Sequence, residues 1–236
     1  MKKLNSLSIF FPFWNEGKNV QRVVGLAVPI ANRIAEKWEI IIVDDGSTDD
    51  TLKKGNVLAS KNPNIRVVTH APNRGYGAAL KEGLENAKYD YVVFTDGDGQ
   101  FDFSQVNKFV EEISNCDMVI GYRHKRNDNI VRFVLMNMLK AWDFTFFGFH
   151  FKDIDCGFKM FTRKALVEIL PLRSEGAMIT TEILAKAKMR KLKIKQVEVT
   201  HFPRQHGVQT GANIPVIIRA VLESLILWWD LRNGRF

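Results

Sequence analysis

The sequence predicts an α/β protein built on a mostly parallel, doubly wound sheet. Three observations carry this. Apolar runs of strand length recur, and several are apolar throughout, as strands covered on both faces are. Each run ends in a short polar loop rich in Asp, Asn and Gly, and a segment of helical periodicity follows. No internal repeat or low-complexity linker interrupts the alternation.

Residues 7–11 read as a buried first strand that ends in the turn-forming Pro12-Phe13-Trp14-Asn15-Glu16-Gly17. Val20, Val23, Val24, Ala27, Ile30, Ala31 and Ile34 then recur at helical spacing. Residues 38–43 form a second strand, ending in Asp44-Asp45-Gly46-Ser47-Thr48-Asp49. Ser47, Thr48 and Asp49 each suit the cap of a helix that begins near Asp50. Residues 65–69 are a third strand, followed by Asn73-Arg74-Gly75-Tyr76-Gly77 and a helix through about Ala87. Residues 89–95 are a fourth strand, which runs into Asp96-Gly97-Asp98-Gly99-Gln100. Val106, Phe109, Val110 and Ile113 make a helix face, and residues 117–121 a fifth strand.

The second half is less regular. A basic loop holds Arg123, His124, Lys125 and Arg126. An apolar segment from about residue 130 to 151 contains a helix. Residues 152–162 hold Asp153 and Asp155-Cys156-Gly157-Phe158-Lys159. Then come a short helix stopped by Pro171, a helix over 178–191, a strand over 193–200, a basic loop at 201–207, and a last helix opened by Pro215. Two units are expected: a domain over 1–212 and an amphipathic helix over 213–236.

Composition sets bounds. The 236 residues are 46% hydrophobic and 25% charged, which fits a globular chain of one large domain with an appendage. The net charge of +8 directs attention to nucleic acid, a membrane surface or phosphate-bearing substrates, although solvated lysines give the same number. Cys116 and Cys156 show neither metal-ligand spacing nor a disulfide framework, which fits a reducing compartment. Asn5, Ser6 and Ser8 interrupt the apolar N-terminal stretch, so no secretory leader is expected. No apolar run is long enough to predict a spanning helix.

The chemistry concentrates at strand ends. In extended backbone, residues i and i+2 point the same way, so Asp96 and Asp98 offer two carboxylates to one hard cation. Mg²⁺ and Mn²⁺ favour oxygen ligands and are often held by one or two carboxylates plus substrate phosphates. A strand end followed by a polar turn is the plainer reading of the same residues. The loops at Asn15-Glu16, Asp44-Asp45 and 96–100 all follow strands, and doubly wound sheets bind ligands outside their carboxyl ends, so the three loops converge on one crevice. Gly75-x-Gly77 lacks the third glycine of a dinucleotide fingerprint, and no phosphate-binding P-loop is present.

Taken together, Pro12 to Glu16, Asp44 to Asp49, Asn73 to Ala79, Asp96 to Gln100, Gly121 to Arg123, Asp155 to Lys159 and Pro203 to Gly207 resemble the inverting family 2 glycosyltransferases of the GT-A fold. Within that family the resemblance is to the dolichyl-phosphate mannose or glucose synthase-like branch, over roughly residues 5–212. It implies a donor that is a GDP- or UDP-linked sugar. Asp45, with Pro12, Asn15, Glu16, Asp44 and Gly75, would hold its nucleotide, although Asn15 and Asp44 suit turn capping equally. Asp96 would face the donor. Asp98, with Gln100 and Asp96, would ligate Mg²⁺ or Mn²⁺, and Arg204 would reach the diphosphate. Where those synthases usually carry leucine, this chain has Gly99.

The acceptor decides the remaining chemistry. A sugar hydroxyl needs a general base within hydrogen-bond reach, for which Asp153 or Asp155 is the candidate. A polyprenyl phosphate is already largely dianionic and needs cationic positioning instead. Arg123, Arg126 and Arg132, just ahead of the apolar segment, suit a dolichyl or undecaprenyl phosphate. The resemblance therefore implies work at the cytoplasmic face of a membrane, with no nucleic acid partner and with a saccharide acceptor as the alternative. On the last helix Arg219, Glu223 and Asp230 fall in a narrow arc. Apolar residues, two tryptophans among them, cover much of the rest. That suits a membrane interface, the domain's own surface or a second subunit of a homo-oligomer.

Overall fold

The computed structural model describes residues 3–123, 145–205 and 214–235, with side chains in the last helix from residue 222 onward. Among these, strands β1 (Leu4–Phe13), β2 (Ala35–Asp44), β3 (Ile65–Thr69), β4 (Tyr91–Thr95), β5 (Met118–Arg123), β6 (Phe158–Thr162) and β7 (Ile194–Val199) form one sheet. Their order is β3-β2-β1-β4-β6-β5-β7. Every pairing is parallel except those of β6, which runs antiparallel to β4 and β5. Helices α1 (Val20–Ile34), α2 (Thr51–Lys61), α3 (Tyr76–Asn86), α4 (Val106–Ile113), α5 (Arg163–Ile169), α6 (Ile179–Met189) and α7 (Ile214–Arg232), with a 3₁₀ turn over Phe103–Gln105, cover the sheet.

Both faces of the sheet are covered, which is why its central strands are apolar at every position. Successive side chains of a strand point to opposite faces. Ile9, Phe11, Ile40, Ile42 and Val93 pack against α1 and α4, while Phe10, Ile41, Val43, Val92 and Phe94 pack against α3, α5 and α6.

Two departures from the sequence expectation have clear causes. Strand β1 extends beyond 7–11 because its polar residues are satisfied inside the fold. Ser8 Oγ donates to Glu39 at 2.6 Å, and Ser6 Oγ to Asp90 at 2.7 Å. Strand β6 went unread because Lys159 breaks its apolar run. Yet Lys159 is fully buried, and its Nζ donates to the carbonyls of Ile154 at 3.0 Å and Cys156 at 2.5 Å. A charge inside a strand here serves to fold the preceding loop back on itself. The expected helix within 130–151 falls mostly on residues 124–144, outside the described residues.

The core reaches up to the loop after β4. Phe158 stacks on Phe109 with centroids 4.2 Å apart and on Phe103 at 6.1 Å, and meets Phe101 edge-on at 5.9 Å. Phe101 and Phe103 follow directly on the 96–100 loop, so packing beneath the loop sets its height. Phe158→Ala is expected to cost about 3–5 kcal/mol of unfolding free energy, as for other large core truncations, measured by denaturant titration.

Candidate functional site

The parallel register places Pro12 beside Val43 and Phe13 beside Asp44, with Phe10 beside Phe94 on the other edge of β1. The loops after β1, β2 and β4 are therefore immediate neighbours, as the sequence predicts.

The first two loops are knitted together. Asn15 adopts a left-handed backbone at φ 53°, and its Oδ1 accepts from Thr48 N at 2.8 Å and Asp49 N at 3.3 Å. Asn15 N donates to Ser47 Oγ at 2.9 Å, and Glu16 N to Thr51 Oγ1 at 2.9 Å. Asn15 thus acts here as a loop tie. Gly97 lies so close to β1 that a methyl there would sit 2.5 Å from the Pro12 carbonyl oxygen and from the Phe13 ring.

The aspartate pair after β2 is taken up by the protein itself. Asp45 accepts from Asn73 Nδ2 at 2.8 Å, Arg74 N at 2.8 Å and Gly75 N at 3.0 Å, and lies 2.6 Å from His70 Nε2. Its carboxylate pins the loop ahead of α3. Asp44 accepts from Thr69 Oγ1 at 3.0 Å and Ser47 N at 3.3 Å, while its Oδ1 is buried without a hydrogen-bond partner among the described residues. Both aspartates are buried and hold the surrounding loops from within.

The third loop carries the densest charge. Arg204 Nη2 donates to Asp98 Oδ2 at 2.8 Å, and its Nη1 to Glu16 Oε1 at 2.9 Å. One guanidinium therefore bridges two acidic loops. Burial pushes the Glu16 carboxyl up, against the lowering effects of Asn19 and Arg204. Gln100, expected among the cation ligands, has its Nε2 on the Phe202 carbonyl at 2.8 Å, and Phe202 N returns a bond to Gln100 O at 2.7 Å. Gln100 thus anchors the segment that carries Arg204, which leaves Oε1 as its only atom for a cation.

Asp96 faces Asp98 across the turn. Burial, and then the Asp98 charge, push its carboxyl up to about 7, against the pull of the Tyr76 hydroxyl and of Arg123 and Lys159. Tyr76 Oη donates to Asp96 Oδ1 at 2.8 Å. A methyl on Gly157 would lie 2.2 Å from Asp96 Oδ2, so only glycine leaves room for this carboxylate.

The acceptor side is placed only in part. Arg123 Nε and Nη2 donate to Asp153 at 2.6 and 2.9 Å, in a pair with side chains 10% and 3% exposed. Asp153, one of the two candidate bases, is therefore already engaged. Asp155 is exposed at the turn before Gly157. Arg126 and Arg132 lie outside the described residues. Tyr76, Gly157 and Lys159 carry roles at this site that the sequence reading did not assign. All three stand within stretches that carry the family resemblance, Tyr76 in Asn73 to Ala79 and Gly157 and Lys159 in Asp155 to Lys159.

The donor set suits a divalent cation. Glu16 and Asp98 already hold one positive group between them, and Asp96 adjoins. Among the described residues no three His, Cys, Asp or Glu are grouped to hold a metal by themselves. That matches Mg²⁺ or Mn²⁺ sites completed by substrate phosphates.

The model of glycosyl transferase family 2 matches residues 8–170. The dolichyl-phosphate beta-glucosyltransferase of Dictyostelium discoideum is 33% identical over 220 residues, covering 82% of this chain and 65% of that protein. The enzyme of the same name from Saccharomyces cerevisiae is 30% identical over 226 residues, covering 82% and 66%. The dodecaprenyl-phosphate galacturonate synthase of Rhizobium johnstonii is 26% identical over 234 residues, covering 96% and 67%. The chain thus spans about two thirds of the length of these curated relatives. The crystal structure of glucosyl-3-phosphoglycerate synthase from Mycobacterium tuberculosis with Mn²⁺, UDP and glucosyl-3-phosphoglycerate is similar in fold. Its TM-score is 0.70 at 21% identity, over 95% of this chain and 80% of that one.

A carboxyl held above its unfolded value binds its proton more tightly in the folded state. It therefore withdraws stability as pH rises from about 4 towards 7. Asp96→Asn is expected to stabilise the metal-free protein at pH 8 by on the order of 1–4 kcal/mol, with no gain at pH 4. Thermal melts at the two pH values check this.

Proposed function

Since the chain belongs to glycosyl transferase family 2 and has the GT-A fold, we propose that it moves a sugar, with inversion, from a nucleoside-diphosphate sugar to a polyprenyl phosphate. The observation that carries this is the Arg204 guanidinium bridging Glu16 and Asp98 next to Asp96. A cation seated at converging parallel strand ends marks where a diphosphate and its metal would meet.

Asp98, with Gln100 Oε1, would hold Mg²⁺ or Mn²⁺, which supplies Lewis-acid neutralisation of the leaving diphosphate, while Asp96, expected beside them, has Oδ1 taken by Tyr76 and would face the donor sugar instead. Arg204 would exchange its two carboxylate partners for phosphate oxygens, which its planar fork matches in the same bidentate manner. Pro12, Asn15 and Glu16 would stand at the nucleotide end with the buried Asp44 beneath them, and Asp45 holds Gly75 and the loop before α3 in place. The donor nucleotide is GDP or UDP.

The acceptor reading draws on two supports. The named relatives include enzymes of dolichyl and dodecaprenyl phosphate. A phosphate acceptor also requires no base, and Asp153, the buried candidate for one, is bonded to Arg123. Arg126 and Arg132 would receive the acceptor phosphate, and Arg123 would join them only by leaving Asp153. A saccharide acceptor would instead draw on Asp155.

The last helix fits a lipid substrate. It packs on the domain through buried Ser224 and Leu227, an edge-on contact between Trp228 and Phe146, and an ion pair of Asp230 with Arg173 at 3.0 Å. Leu222, Leu225, Ile226 and Trp229 remain exposed at spacings of three and four, one stripe along the helix. Such a stripe suits shallow burial in a membrane interface at the cytoplasmic face, with the protein held peripherally. No described helix is long and apolar enough to cross a membrane.

Radiolabelled GDP-mannose, UDP-glucose and UDP-N-acetylglucosamine, each offered with undecaprenyl or dolichyl phosphate and Mn²⁺, test the reaction. Organic-soluble product is expected. Product only with sugar acceptors overturns the lipid assignment. Asp98→Ala should lose roughly 10²-fold or more in turnover, and full metal-dependent turnover in that variant overturns the metal site. Ile226→Asp with Trp229→Asp should abolish flotation with anionic vesicles while leaving the melting temperature near that of the parent.

A further inference from the structure

Tyr76 is the first residue of α3, and everything around it is fixed from elsewhere. Asp45 pins the two backbone amides before it, Arg74 N and Gly75 N. Gly75 takes φ 102°, a conformation open to glycine. After it, a methyl on Gly77 would lie 2.5 Å from Gly176 O, and Ala78 N donates to Glu175 O at 3.2 Å. That neighbouring segment is held in turn by Glu182, which accepts from Arg173 N at 2.9 Å and Ser174 N at 2.7 Å and pairs with Lys186 at 2.8 Å. The tyrosine is thus carried on a backbone clamped on both sides.

Its side chain is placed for use. The residue is 38% exposed, so it does not fill the core. Its hydroxyl donates to Asp96 Oδ1 at 2.8 Å, while Gly157 closes on the same carboxylate from the other direction. A tyrosine hydroxyl has one proton to give, and it is given to Oδ1. Oδ2 accepts no hydrogen bond from any described residue. A carboxylate gripped through one oxygen presents the other as a directed acceptor, and the groups that would satisfy it at this site are hydroxyls.

We propose that Tyr76 is a donor-positioning residue: it locks the Asp96 carboxylate so that Oδ2 receives sugar hydroxyls of the donor, and its exposed ring walls the sugar side of the crevice. This rests on the transferase reading above. The bond from Tyr76 to Asp96 works only through a ligand that carries hydroxyls beyond the diphosphate. It therefore acts on the sugar-linked nucleotide and not on the bare nucleoside diphosphate.

Calorimetric titration with UDP, UDP-glucose, GDP and GDP-mannose in Mn²⁺ tests it without any acceptor. In the parent, one sugar-linked form is expected to bind more tightly than its own nucleoside diphosphate. Tyr76→Phe should erase most of that difference, roughly tenfold, while leaving UDP or GDP affinity within twofold. Tyr76→Ala should also lose the ring contact and blur discrimination among donor sugars. In turnover, Tyr76→Phe should lower kcat for the preferred donor more than it raises KM for polyprenyl phosphate. Unchanged melting temperatures exclude a folding defect, and Phe retains the ring if Ala unfolds. The proposal is overturned if Tyr76→Phe keeps the full sugar-dependent affinity, if it weakens the bare nucleotide equally, or if the parent binds both forms alike. Absence of sugar transfer in the radiolabel assay, with the sugar-dependent affinity intact, would instead count against the transferase reading alone.

Discussion

Like charges crowded at adjacent strand ends are the constraint on which this molecule depends. Parallel pairing of β1, β2 and β4 brings Glu16, Asp96 and Asp98 to one rim, where burial makes their mutual repulsion costly. The surrounding structure answers that repulsion. Arg204 bridges two of the carboxylates from a segment tethered by Gln100, and the positive charges of Lys159 and Arg123 act on the third from below. A rim assembled this way favours incoming cations and is uncomfortable without one. Carboxyls raised in this way cost stability once ionised, a pattern common at functional sites.

Much of the fold was legible because a doubly wound sheet writes its burial into the chain. Strands covered on both faces are apolar at every position, and the loops that end them are short and polar. What escaped reading shares one cause: polar residues whose partners lie far off in sequence. Ser6 and Ser8 made β1 look short, and their acceptors are Asp90 and Glu39. Lys159 hid β6, and its partners are carbonyls of a turn that only the folded chain brings under it.

The site divides along the same line. Asp96 and Asp98 stand together as expected, because a strand end brings them there, and Arg204, which the family resemblance implied, meets Asp98. The tasks of Asp45 and Gln100 were not legible, while Asn15 takes the turn-tying role that the sequence offered beside a nucleotide contact. An oxygen that could face a nucleotide or a cation is chemically the same oxygen that can pin a neighbouring loop, and in the structure all three pin loops. Tyr76 was invisible for the converse reason: it becomes meaningful only through Asp96, twenty positions later in the chain.

The reversed strand has a consequence for how such proteins diversify. Strand β5 ends at the crevice rim, and β6 starts there, with Phe158 opposite Thr95. The described residues just before β6 reach into the acidic rim, where Gly157 O accepts from Asp96 N at 3.1 Å. A change in how the chain returns to β6 would therefore reach Asp96 through Gly157, and no parallel strand would have to move.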